Sequence, residues 1–305
     1  YARVRFNIQD ATDGTEDGRF ELYTSLAGAQ ISRVLANSTE TVINQDSVDL
    51  DFRVESNGNA NMLFVDGGNN RVGVGTNIPS VEFEIADSNS DCEMTIGSWA
   101  DNVNTKSALN FVKSRTTTIG TGAATATNEN IGEILAYGYD TGNTARTASQ
   151  ILFMGDAAPD GDAVPGKILF KTSNASALQT ALTIDDGQIA TFSASVTAKT
   201  DTDTSNTGNV TLDFAANQNF VLTMTGNVTL VNPTTEQVGQ SGMIVLIQDG
   251  TGSRTLAVGD QYFGAGGSVP TISTAANSID VIPYFVQATG KILLGAAQLA
   301  FADAS

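Results

Sequence analysis

The sequence contains no histidine and only one cysteine, Cys92, in 305 residues. The absence of histidine excludes Ser-His-Asp and Cys-His catalytic arrangements, histidine-ligated zinc, and the usual general base near neutral pH. A single cysteine excludes an intrachain disulfide and a cysteine-based metal site. We expect Cys92 to be a buried small apolar residue. These absences disfavour most enzyme classes, and we predict that the protein is not an enzyme.

Basic residues are also scarce, with 15 Lys and Arg against 33 Asp and Glu and a net charge of −18. Nucleic acids and anionic lipid surfaces are bound by clustered basic side chains, which this chain lacks. The longest apolar runs, such as Met243 to Ile247, are far too short to cross a bilayer. We therefore predict no nucleic-acid partner and no membrane insertion.

Helical periodicity is absent, whereas alternation of apolar and polar residues is frequent. Residues 50–55 and 81–85 alternate in this way, which is typical of a strand with one buried face. Gly, Asn, Asp, Ser and Thr, which favour turns, fill the intervals. The pattern predicts an all-β protein. Further strands are expected at 19–23, 108–112, 131–137, 150–154, 167–171, 181–184, 210–214, 219–224, 227–231, 243–248, 279–286 and 291–294.

Two segments, 63–75 and 182–190, look like copies of one unit. Each has an apolar strand, an Asp, a turn containing Gly, and a short apolar strand. Such short strands cannot bury an apolar face alone, so one interpretation is a shaft in which three chains interweave. The other interpretation is an ordinary hairpin.

Composition along the chain suggests four regions. We expect an N-terminal β and shaft region at 1–80, a middle β domain at 81–181, a second shaft-like unit with a linker at 182–207, and a C-terminal antiparallel β-sandwich at 208–305. The linker is predicted because 198–208 is polar and has no large apolar residue. Trp99 is expected to anchor the core of the middle domain.

Three groups of motifs resemble phage tail fibres, marine and cyanophage-like ones in particular. Residues 49–59, with Leu63-Phe64-Val65 and 71–80, are similar to a fibre shaft motif. A middle group has the order of a module found in such fibres, and a C-terminal group resembles their distal β-sandwich domain. The middle group comprises 108–115, 131–140 and 165–172, and the C-terminal group comprises 208–214, 226–230, 249–256 and 266–273.

This resemblance implies an elongated, fibre-type parallel homotrimer in the virion tail, outside the cell. The implied partners are the other copies of the chain, other virion tail proteins, and a glycan or protein of the host surface. The implied function is host attachment. A bacterial surface adhesin and an extracellular filament subunit are the alternatives in a different class.

A glycan-depolymerising tailspike is a further alternative, because paired carboxylates can hydrolyse glycosidic bonds. The candidate pairs are Asp185 with Asp186, Asp201 with Asp203, and Asp160 with Asp162. All three lie in contexts typical of turns, where Asp caps backbone N–H groups. The turn interpretation is the one we favour.

Two sets of residues are candidate binding sites. Asp10, Asp13 and Asp17 place oxygen atoms at short intervals beside Gly, as calcium-binding loops do, although a polar turn would look the same. No cofactor is predicted apart from this calcium candidate. Aromatic residues near glycines can stack on sugars. The receptor-contact candidates are therefore Tyr262, Phe263, Tyr137 and Tyr139. For Tyr262 and Phe263 the alternative, that they close over the core of the sandwich, is the one we favour.

Overall fold

The computed structural model describes residues 1–88, 91–101, 103–174 and 177–302. In this part of the chain the only helical element is a 3-10 turn at Ala265–Gly267, and all other regular structure is β. The prediction of an all-β protein is confirmed. The described residues contain no helix that is long and apolar enough to cross a membrane. The chain divides into two compact units, residues 1–110 and 111–305.

The first unit contains two four-stranded sheets. One is an antiparallel meander in which neighbouring strands follow each other in sequence. The other has two antiparallel pairs and one parallel pair at its end. The meander consists of β1 (Ala2–Asp10), β2 (Asp17–Leu26), β3 (Ala29–Ala36) and β4 (Thr41–Ile43), and the second sheet of β5 (Phe52–Val54), β6 (Leu63–Asp66), β7 (Arg71–Val74) and β8 (Phe83–Ile85).

The second unit begins with a five-stranded antiparallel sheet in which sequence neighbours also pair. Its strands are β9 (Asn130–Tyr139), β10 (Ala145–Gly155), β11 (Gly166–Ser173), β12 (Leu178–Ile184) and β13 (Ala190–Phe192). Both segments that were predicted as shaft-like units form hairpins within one chain, β6 with β7 and β12 with β13. The interwoven three-chain shaft stays a prediction.

The rest of the second unit is one sheet of eight strands, which we call the C-terminal domain. The order along the sheet is β14-β15-β16-β19-β20-β18, with β17 on β15 and β21 on β19. The strands are β14 (Thr200–Val210), β15 (Asn219–Leu230), β16 (Ser241–Gln248), β17 (Leu256–Val258), β18 (Tyr262–Gly264), β19 (Ile279–Ala288), β20 (Lys291–Leu294) and β21 (Gln298–Phe301).

The C-terminal domain holds nearly all of the hydrophobic core. Of the eighteen buried apolar side chains among the described residues, fifteen form its single cluster, and the other three are Leu35, Phe64 and Leu152. Every second residue of β15 from Phe220 to Leu230, except Gly226, is almost fully buried, as expected for a strand with one face on a core. This domain therefore completes a core within one chain.

Pairing in the C-terminal domain departs from the predicted antiparallel pattern. The pairs of β15 with β14, β16 and β17 are parallel, as is that of β18 with β20. Parallel neighbours need a crossover, and the segment between β14 and β15 provides one. It carries Leu212 and Phe214, both buried, and the Phe214 ring contacts Phe220 and Tyr284 edge-on. The strand predicted at 210–214 is therefore mostly this crossover.

The polar stretch that was predicted as a linker is a strand. It forms β14 at the edge of the C-terminal sheet, and the predicted boundary at 208 falls inside it. Among its eleven residues only Asn206 is buried, where its side-chain amide donates to the carbonyls of Asp203 and Thr223. An edge strand exposed to water does not need apolar residues, so its sequence resembles a linker.

Three other expectations were wrong. Residues 108–112 form no strand, Trp99 is 91% exposed, and Cys92 is exposed with its Sγ 3.3 Å from the Ile85 carbonyl oxygen. All three lie between 86 and 129, where the described residues contain no strand. Trp99 and Cys92 therefore lie outside any core of the described part of the chain.

Candidate interaction surfaces

One face of the β1–β4 sheet is apolar and open. Val4, Leu22, Val34 and Ile43 are paired in a row across all four strands. In the next row the Phe6 and Phe20 ring centroids lie 5.5 Å apart. Exposure on this face is high, reaching 52% for Val4, 76% for Phe6 and 77% for Ile8. We call this surface, formed by Val4, Phe6, Ile8, Phe20, Leu22, Val34 and Ile43, the N-terminal apolar face.

The opposite face of the same sheet carries charge, yet it is the better covered of the two. Glu21, only 1% exposed, forms ion pairs with Arg19 and with Arg5, the latter at 3.8 Å. Leu35 is buried on this side, opposite Glu21 in the pairing. Burial by itself would raise the pKa of Glu21, but hydrogen bonds from Tyr23 and Arg19 and the nearby guanidinium charges outweigh it and hold the pKa below its usual value.

Charges therefore occupy the covered face and apolar residues the open one. The sequence carries the signal in the alternation of Arg3 and Arg5 with Val4 and Phe6, which sequence reasoning did not single out. An exposed apolar face of this kind marks an interaction surface.

The β9–β13 sheet repeats this arrangement. Ile134, Ile151, Phe170, Leu182 and Phe192 pair in a row across all five strands. The two ends of the row are 49% and 54% exposed. We call this row the middle apolar band.

The row beside the middle apolar band is partly covered. Phe111 stacks on Phe153 at 5.9 Å, and a Cβ added to Gly132 would lie 2.5 Å from the Phe111 Cβ. Glycine at 132 thus lets Phe111 approach the sheet. The charged residue Glu133, which follows Gly132 on β9, points to the other side of the sheet because strand residues alternate.

The predicted receptor-contact residues fall into different environments. Tyr262 is only 6% exposed within the C-terminal core, and burial raises the pKa of its phenol. The core therefore covers the Tyr262 ring and leaves it almost no surface for stacking on a sugar. Its neighbour Phe263 faces the other side, is 43% exposed, and lies 5.4 Å from the Lys291 Nζ. Phe263 pairs with Leu293, which pairs with Phe285, so three partly exposed apolar side chains share this outer surface.

Tyr137 and Tyr139 remain accessible at 62% and 78% exposure. They lie two residues apart on β9, an edge strand, and therefore point to the same side. The hairpin that follows is fixed by Asp140, which accepts from Arg146 and from the Gly142 and Thr144 backbone. These hydrogen bonds hold the pKa of Asp140 below its usual value.

The calcium candidates lie around the β1–β2 turn, where Asp10 and Asp17 face each other in the pairing. Asp10 accepts hydrogen bonds from the Thr12 backbone and the Thr15 hydroxyl, so its carboxylate already stabilises the turn. These bonds lower its pKa. Among the described residues no three or more acidic or Cys side chains form a group suited to a metal ion. The turn accounts for Asp10 without an ion, and a calcium ion bound by Asp10, Asp13 and Asp17 stays a prediction.

Two of the candidate carboxylate pairs contain an Asp whose side chain accepts hydrogen bonds from the backbone of its own turn. Asp160 accepts from the backbone of Asp162 and Ala163, and Asp185 accepts from the backbone of Ile189. This is the turn role expected of Asp. Asp201 and Asp203 are exposed on the edge strand β14.

The most buried carboxylate of the C-terminal domain is Asp280, 2% exposed. It accepts hydrogen bonds from the Ser273 backbone and hydroxyl and from the Ala300 backbone. It therefore ties the 273 loop and β21 to β19. A buried N–H without an acceptor lowers the folding stability by about 1–3 kcal/mol. By accepting from these N–H groups, Asp280 therefore plays a structural role.

Gln248 and Asp249 organise the loop after β16. The Gln248 side chain donates to the Arg254 and Ser273 carbonyls and accepts from the Arg254 backbone. Asp249 accepts from both Nε and Nη2 of Arg254, the latter at 2.8 Å, and from the Gly252 backbone. The hydrogen bond from Arg254 is the main reason that the pKa of Asp249 lies below its usual value.

Comparison with known proteins indicates similarity to phage tail fibres. Residues 204–291 match a protein-family model described as "Putative phage tail fibre C-terminal domain". A solved structure, that of the carboxy-terminal domain of the bacteriophage T5 L-shaped tail fibre, is similar with a TM-score of 0.35 and 11% identity, over 63% of this chain and 72% of that one. A TM-score this low does not establish a shared fold. No curated protein sequence matches the chain.

The family match covers most of the C-terminal domain, from within β14 to the first residue of β20. It confirms the predicted resemblance to phage tail fibres and the virion-tail location that this resemblance implies. The matched region includes the Asp249–Arg254 loop and Asp280.

The lowered pKa of Asp249 predicts a pH-dependent contribution to stability. Its stabilisation is present above the unfolded carboxyl pKa, near 4, and is lost as the pH falls through the lower folded value. Asp249→Asn should therefore lower the urea midpoint of the C-terminal domain at pH 7, and the difference from the parent should shrink as the pH falls below about 4 and through the lowered folded pKa.

Asp201→Asn, at an exposed position of β14, is the matched control and should leave the midpoint nearly unchanged at neutral and at acid pH. Equal midpoints for Asp249→Asn and the parent at pH 7 would show that the Asp249–Arg254 pair does not stabilise the domain.

Proposed function

We propose that this phage tail fibre chain is a structural subunit that assembles as a homotrimer and attaches the virion to a glycan or protein of the host surface. The observation that carries the proposal is the uneven distribution of the core. Only three buried apolar side chains lie outside the C-terminal cluster among the described residues, although two sheets there carry open apolar faces. A subunit of this kind acts by assembly and adhesion, without catalysis.

The exposed area supports association between copies. The chain exposes 19920 Å². Compact globular proteins of this mass expose about 12,000 Å² as one body and about 15,000 Å² as two. The excess of about 5,000 Å² or more is several times the roughly 800 Å² that each partner buries in a standard interface. The resemblance to tail fibres implies that there are three copies and that they lie parallel to one another.

Host contact is assigned to exposed aromatic residues. Tyr137 and Tyr139 on β9 and Phe263 on the outer surface of the C-terminal domain are accessible, and aromatic rings can stack on sugars or pack on proteins. The acidic surface, with a net charge of −18, disfavours an anionic receptor. Other virion tail proteins are expected to join the remaining parts of the fibre.

The solution mass tests the assembly. Residues 1–305 should give a mass three times 31.7 kDa by light scattering, because a trimer can cover the open faces. A mass of 31.7 kDa that persists at high concentration would contradict the proposal.

A competition experiment tests attachment. The purified chain, added before the phage that carries it, should lower adsorption of that phage to its host. The variants Tyr139→Ala and Phe263→Ala should need about tenfold more protein for the same effect, since exposed aromatics often dominate binding energy.

Tyr1→Ala, which removes a fully exposed tyrosine, is the control and should compete as the parent does. No competition by the parent at any concentration would contradict a role for this chain in attachment.

A further inference from the structure

A lysine, an asparagine and an aspartate meet at one end of the β9–β13 sheet. The Lys167 Nζ lies 2.6 Å from the Asn128 Oδ1 and 3.0 Å from the Asp156 Oδ1. The carbonyl carbon of the Asn128 amide therefore lies within about 3.8 Å of the Lys167 Nζ, since a C=O bond is about 1.2 Å long. An amine held this close to an amide carbon is near the distance of attack, about 3–3.5 Å.

The backbone holds the three side chains beside each other. Asn128 donates its backbone N–H to the Gly155 carbonyl at 2.9 Å, and Asp156 donates its own to the Pro165 carbonyl at 2.9 Å. Lys167 is the second residue of β11, which pairs with β10. Asn128 has a φ of 61°, a left-handed conformation that Asn adopts more readily than most residues. The end of β10 thus lies between the segment that carries the asparagine and the strand that carries the lysine.

The surroundings limit the access of water and orient the carboxylate. Side-chain exposure is 17% for Lys167 and 21% for Asp156. A Cβ on Gly155 would lie 2.6 Å from the carbonyl oxygen two residues before Asn128, so glycine lets this segment pack against the end of β10. The Asp156 carboxylate also accepts from the Asp186 backbone N–H at 3.2 Å. The hydrogen bonds from Lys167 and from the Asp186 backbone lower the pKa of Asp156, which is therefore ionised near neutral pH and able to take up a proton.

We propose that Lys167 and Asn128 form an isopeptide bond within the chain. The neutral Lys167 amine attacks the Asn128 Cγ, a bond from Nζ to Cγ forms, and the bond from Cγ to Nδ2 breaks to release ammonia. The proton that the amine loses passes through the Asp156 carboxylate to the departing nitrogen. No oxidant, reductant or further reactant takes part. Because the ion pair with Asp156 favours the protonated amine, the bond forms slowly after folding.

The bond joins the segment before β9 to the start of β11 and thereby encloses the end of β10. Among the described residues this sheet holds one buried apolar side chain, Leu152, and the single cysteine of the chain excludes an intrachain disulfide. A covalent link between residues 39 positions apart restricts the unfolded chain and so stabilises the folded one. The isopeptide bond therefore supplies to this sheet a stabilisation that its small core does not.

The mass of the purified chain tests the proposal. Residues 1–305, incubated at mildly alkaline pH to increase the neutral amine, should become lighter than the sequence mass by one ammonia. A tryptic digest should then contain one branched peptide in which Lys167 is joined to Asn128, with no cleavage after Lys167. A chain that keeps its full sequence mass after prolonged incubation would overturn the proposal.

Two arginine variants separate this reaction from other losses of ammonia. Lys167→Arg keeps a cation beside Asp156 but has no amine that attacks, and it should keep the full sequence mass. Lys171→Arg, the same substitution further along β11, is the matched control and should lose ammonia as the parent does. Asparagine can also lose ammonia by closing a ring with its own backbone, and a loss that persists in Lys167→Arg would overturn the bond.

The rate of the mass change tests the part played by the carboxylate. Asp156→Asn can still hold the amine but cannot carry its proton, so it should slow the loss of ammonia about a hundredfold, as expected for proton transfer by a positioned side chain. Circular dichroism of this variant should match that of the parent. An unchanged rate in a folded Asp156→Asn chain would overturn the proton transfer assigned to Asp156.

Discussion

A β-sheet with an apolar face is stable only when something covers that face, and this requirement organises the whole chain. In the C-terminal domain the chain covers its own sheet, with the Leu212–Phe214 crossover packed against the alternate buried residues of β15, β16, β19 and β20. In the β1–β4 and β9–β13 sheets the chain supplies no comparable cover among the described residues. The first part has a core within one chain, whereas in the proposed assembly other copies cover the second.

The C-terminal domain shows how polar groups complete such a self-covered sheet. Asp280 and Gln248 lie almost fully buried, and each is matched to backbone groups of the loops that close the domain. The edge of the sheet is formed by β14, whose Thr and Asp side chains face water and discourage pairing with a further strand. A domain that is closed in this way can present loops and its Phe263 surface to another molecule without needing that molecule in order to fold.

Sequence patterns predicted most strands well where alternation was clear, as in β16, β19 and β20. They missed β14 because an exposed edge strand has no apolar face to reveal it, and they took Val210–Phe214 for a strand because a crossover that packs on a core alternates in the same way. They placed Trp99 in a core on residue type alone, although it lies between 86 and 129, where the described residues form no strand, and is exposed. Tyr262 and Phe263 show why the exposure of candidate site residues could not be predicted from the sequence. These two adjacent aromatic residues differ in exposure only through the pairing of β18 with β20.

Hydrogen exchange on the assembled protein tests most directly whether other copies cover the open sheets. The account predicts that backbone amides of β2, β10 and β11 exchange about as slowly as those of β15 and β19, because subunit contacts stabilise the sheets of the first and middle regions. Rapid exchange throughout β1–β4 and β9–β13, with protection confined to the C-terminal domain, would show that nothing covers those apolar faces and would contradict the account.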